Sequence, residues 1–222
     1  MTHNALLVVA KEPVAGQTKT RLCPPLDGVT AAALYTCFLR DTLALMDRVA
    51  DVRRIIAYLP EDAAGYFRDL APQMALTPQR GTGLGERLNN LLCDALADGA
   101  AHAVVMDSDS PTLPVDYLRR AFGELEGGAD VVIGPCDDGG YYLIGLRQPQ
   151  PRLLCEVPMS TPNVMRDTLA IARELGLRVA LLPTWYDVDT AAELARLRED
   201  LRDQPPEIAA HTRRFLDVGA QE

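Results

Sequence analysis

Lysine is almost missing from this 222-residue chain: only Lys11 and Lys19 occur, and the other 20 basic residues are arginines. An excess of positive charge is missing too, with 22 Lys+Arg against 31 Asp+Glu and a formal net charge of −9. Such a surface has no basic face to offer a polyanion, which excludes nucleic acid and anionic membrane as partners. Paired cysteines are absent. Cys23, Cys37, Cys93, Cys136 and Cys155 are scattered singly and odd in number, the pattern of reduced thiols rather than a disulfide framework or a zinc site. His3, His102 and His211 are remote from one another, and no Ser-His-Asp elbow motif occurs. The longest early apolar run, residues 5–10, is six residues, too short for a secretion signal or a membrane span. The expected location is the cytoplasm.

What the chain does contain is an alternation. Apolar, β-rich runs fall at 5–10, 53–59, 74–77, 102–106, 130–134, 141–146 and 178–182. Segments of helical spacing lie between or after them at 30–49, 62–70, 86–96, 114–125, 161–175 and 191–201. Thr161 reads as the cap of the fifth helix, with Pro162 at its first position. Strands alternating with amphipathic helices predict an α/β fold with a mostly parallel, doubly wound sheet and helices on both faces. No linker or repeat divides residues 1–203, which read as one domain; residues 204–222 follow Gln204-Pro205-Pro206 as a tail with a short helix.

In such sheets ligands bind beyond the carboxyl ends of the strands, and five loops there are unusual. Residues 11–22 place Lys11, Lys19, Arg21 and Gly16 after the first strand. Glycine permits close backbone approach and the cations offset phosphate charge, although the spacing matches neither a Walker A loop nor a dinucleotide fingerprint. Asp107 and Asp109 follow the fourth strand, and Asp187 and Asp189 follow the last. Carboxylates in such positions suit a hard divalent ion that also meets substrate phosphate. The competing readings are local turn chemistry at 107–111 and capping of the next helix by Asp189 or Thr190. Asp138, Gly139, Gly140 and Tyr141 form either a ligand-contacting loop or a plain D-G-G hairpin turn. Gln79 and Gly81, in a glycine-rich turn, could meet a nucleobase edge.

The segments K-x-P-x-x-G-x-x-K-T-R-L (11–22), D-S-D-S-P-T-L-P (107–114), D-G-G-Y-Y-L-I-G-L (138–146), S-T-P (160–162) and D-V-D-T-A-A-E-L (187–194) also carry a likeness. Together they resemble the bacterial glycosyltransferase-like proteins related to 2-phospho-L-lactate guanylyltransferase, some of them assigned to glycosyl transfer in arsenosugar pathways. The molybdenum-cofactor guanylyltransferases are more distant. The resemblance covers residues 5–197 and implies the GT-A (nucleotide-diphospho-sugar transferase) fold. It implies Lys19 and Arg21 at the nucleotide phosphates, with Lys11 and Gly16 beside them and Gln79 and Gly81 near the base. It also implies Asp138, Gly139, Gly140 and Tyr141 near the acceptor. The metal, Mg²⁺ or Mn²⁺, falls to Asp109 with Asp107, Asp187 and Asp189 as further ligands. Lys19 preceding Arg21 departs from the guanylyltransferase order G-G-x-S-x-R-[LM]-G-x-x-K.

Lys19, Arg21 and Asp109 are thus the expected catalytic set of a transferase acting on a nucleotide and a small acceptor. The leading reaction is nucleotidylyl transfer from an NTP to a phosphorylated acceptor with release of pyrophosphate. Glycosyl transfer from a nucleotide-sugar and non-catalytic nucleotide binding are the alternatives. A homodimer is compatible with the sequence but not required by it.

Overall fold

The computed structural model describes residues 3–218. Seven strands form one sheet: β1 (Asn4–Lys11), β2 (Val52–Leu59), β3 (Ala75–Pro78), β4 (Ala103–Met106), β5 (Val131–Pro135), β6 (Tyr141–Leu146) and β7 (Val179–Leu181). Their spatial order is β3-β2-β1-β4-β6-β5-β7. All neighbours pair in parallel except β6, which runs antiparallel to both β4 and β5. The turn at 136–140 makes that reversal, because adjacent antiparallel strands need only a tight connection. The D-G-G hairpin reading was therefore right for the backbone.

Strand β1 explains why a continuous apolar run, rather than an alternating one, marks the centre of the sheet. Leu6 and Val8 face one core and Ala5 and Leu7 the other, none more than 2% exposed. A parallel strand covered on both faces has no solvent side for a polar residue to occupy. Each such Leu or Val contributes about 1.5–3 kcal/mol on burial.

One core is roofed by α1 (Gly28–Asp47), α2 (Ala64–Leu70), α4 (Val115–Glu126), α7 (Ala191–Asp203) and α8 (Ala210–Val218). The opposite core is roofed by α3 (Leu84–Ala97), α5 (Pro151–Cys155) and α6 (Val164–Glu174). By length and composition α1 could cross a membrane, but it buries Leu34, Phe38, Leu39 and Met46 in this core. Its start is fixed by Asp27, whose carboxylate accepts from the backbone N–H of Val29 and Thr30 at 2.8 Å each. On its far side the buried Asp41 carboxylate accepts from the N–H groups of His211 (3.0 Å) and Thr212 (2.8 Å). That contact anchors α8, so residues 210–217 of the tail lie on α1; residues 219–222 are outside the described residues.

Two local readings are corrected. Helix α6 begins at Val164 with Asn163 as its cap residue, not at Thr161; the Thr161 hydroxyl instead donates to the Pro158 carbonyl at 3.2 Å. Helix α5, only five residues, went unread because one turn has no period to detect.

Candidate active site at the β1/β4 switch point

The crossover connections leave β1 and β4, adjacent in the sheet, in opposite directions, which opens a crevice above their carboxyl ends. Two cavities fill it, of about 450 and 680 Å³. They share Val9, Lys11, Asp107, Asp109 and Asp189 on their common boundary. The smaller reaches Lys19, Gln79 and Arg87; the larger reaches Asp138, Gly140, Tyr141 and Asp187.

The acidic loops meet through the backbone. Val188 N–H donates to the Asp109 carbonyl at 3.0 Å, setting the two D-x-D segments side by side. Helix α7 is capped by Thr190 in a capping box with Glu193, whose carboxylate takes both the Thr190 N–H and hydroxyl at 2.6 Å. Asp189 is thereby released from capping, and its side chain turns to the first loop.

There it meets the two cations assigned to phosphate. Lys19, held at φ 50° and ψ 40°, has a side chain only 6% exposed. Its Nζ lies 2.8 Å from Asp109 Oδ1 and 2.8 Å from Asp189 Oδ1, above the Tyr35 and Phe38 rings. Arg21 Nη1 lies 2.9 Å from Asp189 Oδ2, with the rest of its side chain exposed. Burial alone would lower the Lys19 pKa, but the attraction of Asp109 and Asp189 overrides it and raises the pKa above the ordinary lysine value. Lys19 thus reaches the smaller cavity as a clamped charge, and Asp189 is a counter-ion to Lys19 and Arg21.

Among the described residues, no cation forms an ion pair with the other half of the carboxylate group, Asp107, Asp138 and Asp187. Burial first, then Asp189 and Asp138, push the Asp187 carboxyl up to about 6. Burial and the charge of Asp109 drive Asp107 well above the usual carboxylate range. Asp107 is also turned inward, accepting from Asp109 N–H at 3.0 Å and from the Ser110 hydroxyl at 3.3 Å. This is the turn chemistry weighed against a metal role, and here it occupies both Asp107 oxygens.

The glycines sort differently from expectation. Gly139 has φ +89°, and a Cβ there would sit 2.2 Å from the Pro162 carbonyl oxygen; its own carbonyl accepts from Met165 N–H at 3.0 Å. The hairpin is thus locked to the 160–163 loop at the rim of the larger cavity. Asp138 accepts from Gly140 N–H at 2.8 Å. Gly16 and Gly81 line neither cavity. Gly16 packs against Gly28, and Gly81 accepts from Arg87 Nε at 3.1 Å. Gln79 reaches the smaller cavity, but its amide N–H₂ donates to the Ala57 (2.8 Å) and Ala10 (3.3 Å) carbonyls, tying the ends of β2 and β1. Only its oxygen remains for a base. Tyr141 lines the larger cavity, with its hydroxyl 3.6 Å from the Met159 sulfur.

Lys11, placed beside the phosphates by the resemblance, borders both cavities, and no carboxylate among the described residues pairs with it. Two lining residues were not read from the sequence. Arg87, on the first turn and a half of α3, faces the smaller cavity; its place after the G-T-G-L-G turn was the one available signal. Cys136 lies in the floor of the larger cavity beside Asp138 and Asp187.

This crevice belongs to a chain with recognisable relatives. A family model described as "Uncharacterized protein conserved in bacteria (DUF2064)" matches residues 42–161, more than half of the sequence. The chain is a member of the DUF2064 family. A crystal structure from Desulfovibrio desulfuricans G20, provisionally designated a nucleotide-diphospho-sugar transferase, superposes with a TM-score of 0.92 at 32% identity. That match covers 100% of this DUF2064 chain and 96% of the other, so the fold is that of the nucleotide-diphospho-sugar transferases. A phosphoenolpyruvate guanylyltransferase of Rhodococcus erythropolis PR4 is 29% identical over 212 residues, 88% of this chain and 90% of the relative. The enzyme of the same name from Mycobacterium marinum is 29% identical over 124 residues, with the chain spanning 56% of its length.

Proposed function

We propose that this DUF2064 protein is a nucleotidylyltransferase that moves a nucleoside monophosphate from an NTP to a small phosphorylated acceptor. The observation that carries this reading is the pair of cavities meeting at Asp109, one edged by Lys11, Arg21 and Arg87, the other by the 138–141 hairpin. The NTP occupies the smaller cavity, with its β and γ phosphates against the three cations. An acceptor phosphate oxygen approaches from the larger cavity and bonds to the α-phosphorus, the bond from the α-phosphorus to the bridging oxygen breaks, and pyrophosphate leaves toward Lys11 and Arg21. Fixed cations at a leaving group of rising charge are the main source of rate in such transfers. The guanylyltransferase relatives support the reaction class, and their phosphoenolpyruvate acceptor is the first to try.

The donor set fits a hard divalent ion. Asp109 lies on the boundary between the cavities and Asp187 lines the larger one; burial first, then the charges of Asp189 and Asp138, raises the Asp187 pKa. Asp109 and Asp187 would hold Mg²⁺, which supplies charge neutralisation at the α-phosphate when bound. Both Asp189 oxygens are engaged by Lys19 and Arg21, whereas Lys19 takes only one oxygen of Asp109, which favours Asp187 over Asp189 as the second ligand.

A second reading, glycosyl transfer from a nucleotide-sugar, is favoured by the designation of the 32%-identical structure. Incubation with a panel of NTPs, Mg²⁺ and phosphorylated acceptors separates the two by product. Pyrophosphate supports nucleotidylyl transfer; its absence with every NTP, together with free NDP from a nucleotide-sugar, moves the assignment to the second reading.

A further inference from the structure

The floor of the larger cavity holds a donor set that Mg²⁺ chemistry does not need. One atom each from Cys136, Asp138 and Asp187 lies within 4.8 Å of the others: the thiol sulfur and two carboxylate oxygens. Cys136 is 8% exposed, and no hydrogen bond engages its thiol among the described residues. It packs at the edge of the core and also lines the cavity. The rigid parts around it hold the sulfur in place. Cys136 N–H donates to the Gly140 carbonyl at 3.0 Å, and Asp137 N–H donates to the Trp185 carbonyl at 3.1 Å. The first bond closes the β5–β6 turn, and the second fastens it to the segment after β7 that carries Asp187.

We propose that Cys136, Asp138 and Asp187 form a binding site for a thiophilic divalent cation of the Zn²⁺ class, overlapping the hard-ion position only at Asp187. A mixed sulfur–oxygen set with room for a fourth ligand from solvent matches the preference of Zn²⁺, whose bonds to sulfur and oxygen are about 2.0–2.3 Å. Mg²⁺ discriminates against sulfur and gains nothing from Cys136. On binding, the sulfur–metal bond forms as the thiol proton passes to solvent. Asp187 serves both ions, so Zn²⁺ in this site would withdraw it from Mg²⁺ and inhibit transfer; this consequence, unlike the binding itself, rests on the function proposed above.

The test is titration of the full chain with Zn²⁺ against a chromophoric chelator, and with Cd²⁺ while following the ultraviolet thiolate-to-cadmium charge-transfer band. The proposal expects one tight equivalent and a cadmium band. Cys136→Ser should abolish the band and weaken Zn²⁺ on the order of 10-fold or more, and Asp138→Asn should weaken it without changing the thermal midpoint of the apo protein. A cadmium band that survives in Cys136→Ser, or Zn²⁺ affinity equal in wild type and Cys136→Ser, overturns it. Pyrophosphate release assayed separately with Mg²⁺ reports on the transferase reading alone, so failure of one does not masquerade as failure of the other.

Discussion

The two halves of the carboxylate group at the crevice are built on opposite electrostatic plans. On the Lys19 side, Asp109 and Asp189 share a buried ammonium, and Arg21 adds a second cation. On the Asp187 side, Asp107, Asp138 and Asp187 crowd together with no ion-pair partner among the described residues, and two of the three are pushed toward their neutral forms. The first half is complete as folded and fixes loop geometry. The second stores repulsion that a ligand can relieve.

Removing Lys19 should break the comparison most severely. Lys19→Ala leaves the partly buried Asp109 unpaired and Asp189 with Arg21 alone, at a cost of up to about 3 kcal/mol, and should lower kcat/KM by about 10²-fold or more. Urea denaturation and steady-state kinetics read the two effects; an unchanged urea midpoint would mean that the clamp is not formed in solution.

Asp187→Asn should do the opposite to stability. With a folded-state pKa near 6 against 3.8 in the unfolded chain, the folded state binds the extra proton between those values. Its stabilising contribution is therefore complete below pH 3.8 and lost as pH rises through 6, a change of at most about 3 kcal/mol. The variant should be as stable as wild type or more so at pH 8 and should lack that slope, while activity falls on the order of 10²-fold. A wild-type stability curve flat from pH 4 to 7 would contradict the uncompensated half.

Gly139→Ala places a methyl group against the Pro162 carbonyl at positive φ. About 1–3 kcal/mol of stability should be lost, with acceptor KM raised and NTP KM little changed. Arg87→Ala should show the reverse split, an NTP KM higher by roughly 10-fold at constant stability, as for loss of one charge-assisted contact. Equal shifts in both constants in either variant would dissolve the assignment of one cavity to each substrate. The smallest effect belongs to Thr190→Ala, which deletes the capping box of α7 for about 1 kcal/mol. It should reach activity only through the placement of Asp189.

How much of this was legible in the chain follows the range of each cause. Strand and helix positions were readable because burial on both faces of the sheet leaves a continuous apolar run, as in residues 5–10, and burial of one helix face imposes a period, as in residues 114–125. The D-S-D and D-V-D loops were legible because their residue types mark them and the ends of strands place them on one edge. Gly16 and Gly81 misled, since glycine answers equally to a ligand's approach and to a tight turn, and both serve turns. Gln79 reaches the smaller cavity, but its bridging of two strand-end carbonyls carried no signal in the sequence.

By itself, then, the sequence determined an α/β sheet with its chemistry at the carboxyl ends, and a first loop rich in cations facing two acidic loops. Only the tertiary structure decided which charge meets which. The antiparallel insertion of β6, the Val188–Asp109 backbone bond and the Thr190 cap set the distances among residues 11–21, 107–109, 136–141 and 187–189. Coulomb energies depend on those distances and on burial, neither of which local periodicity encodes. Of the two scarce lysines, composition singled out the segment; packing made Lys19 the internal clamp and left Lys11 facing the ligand space.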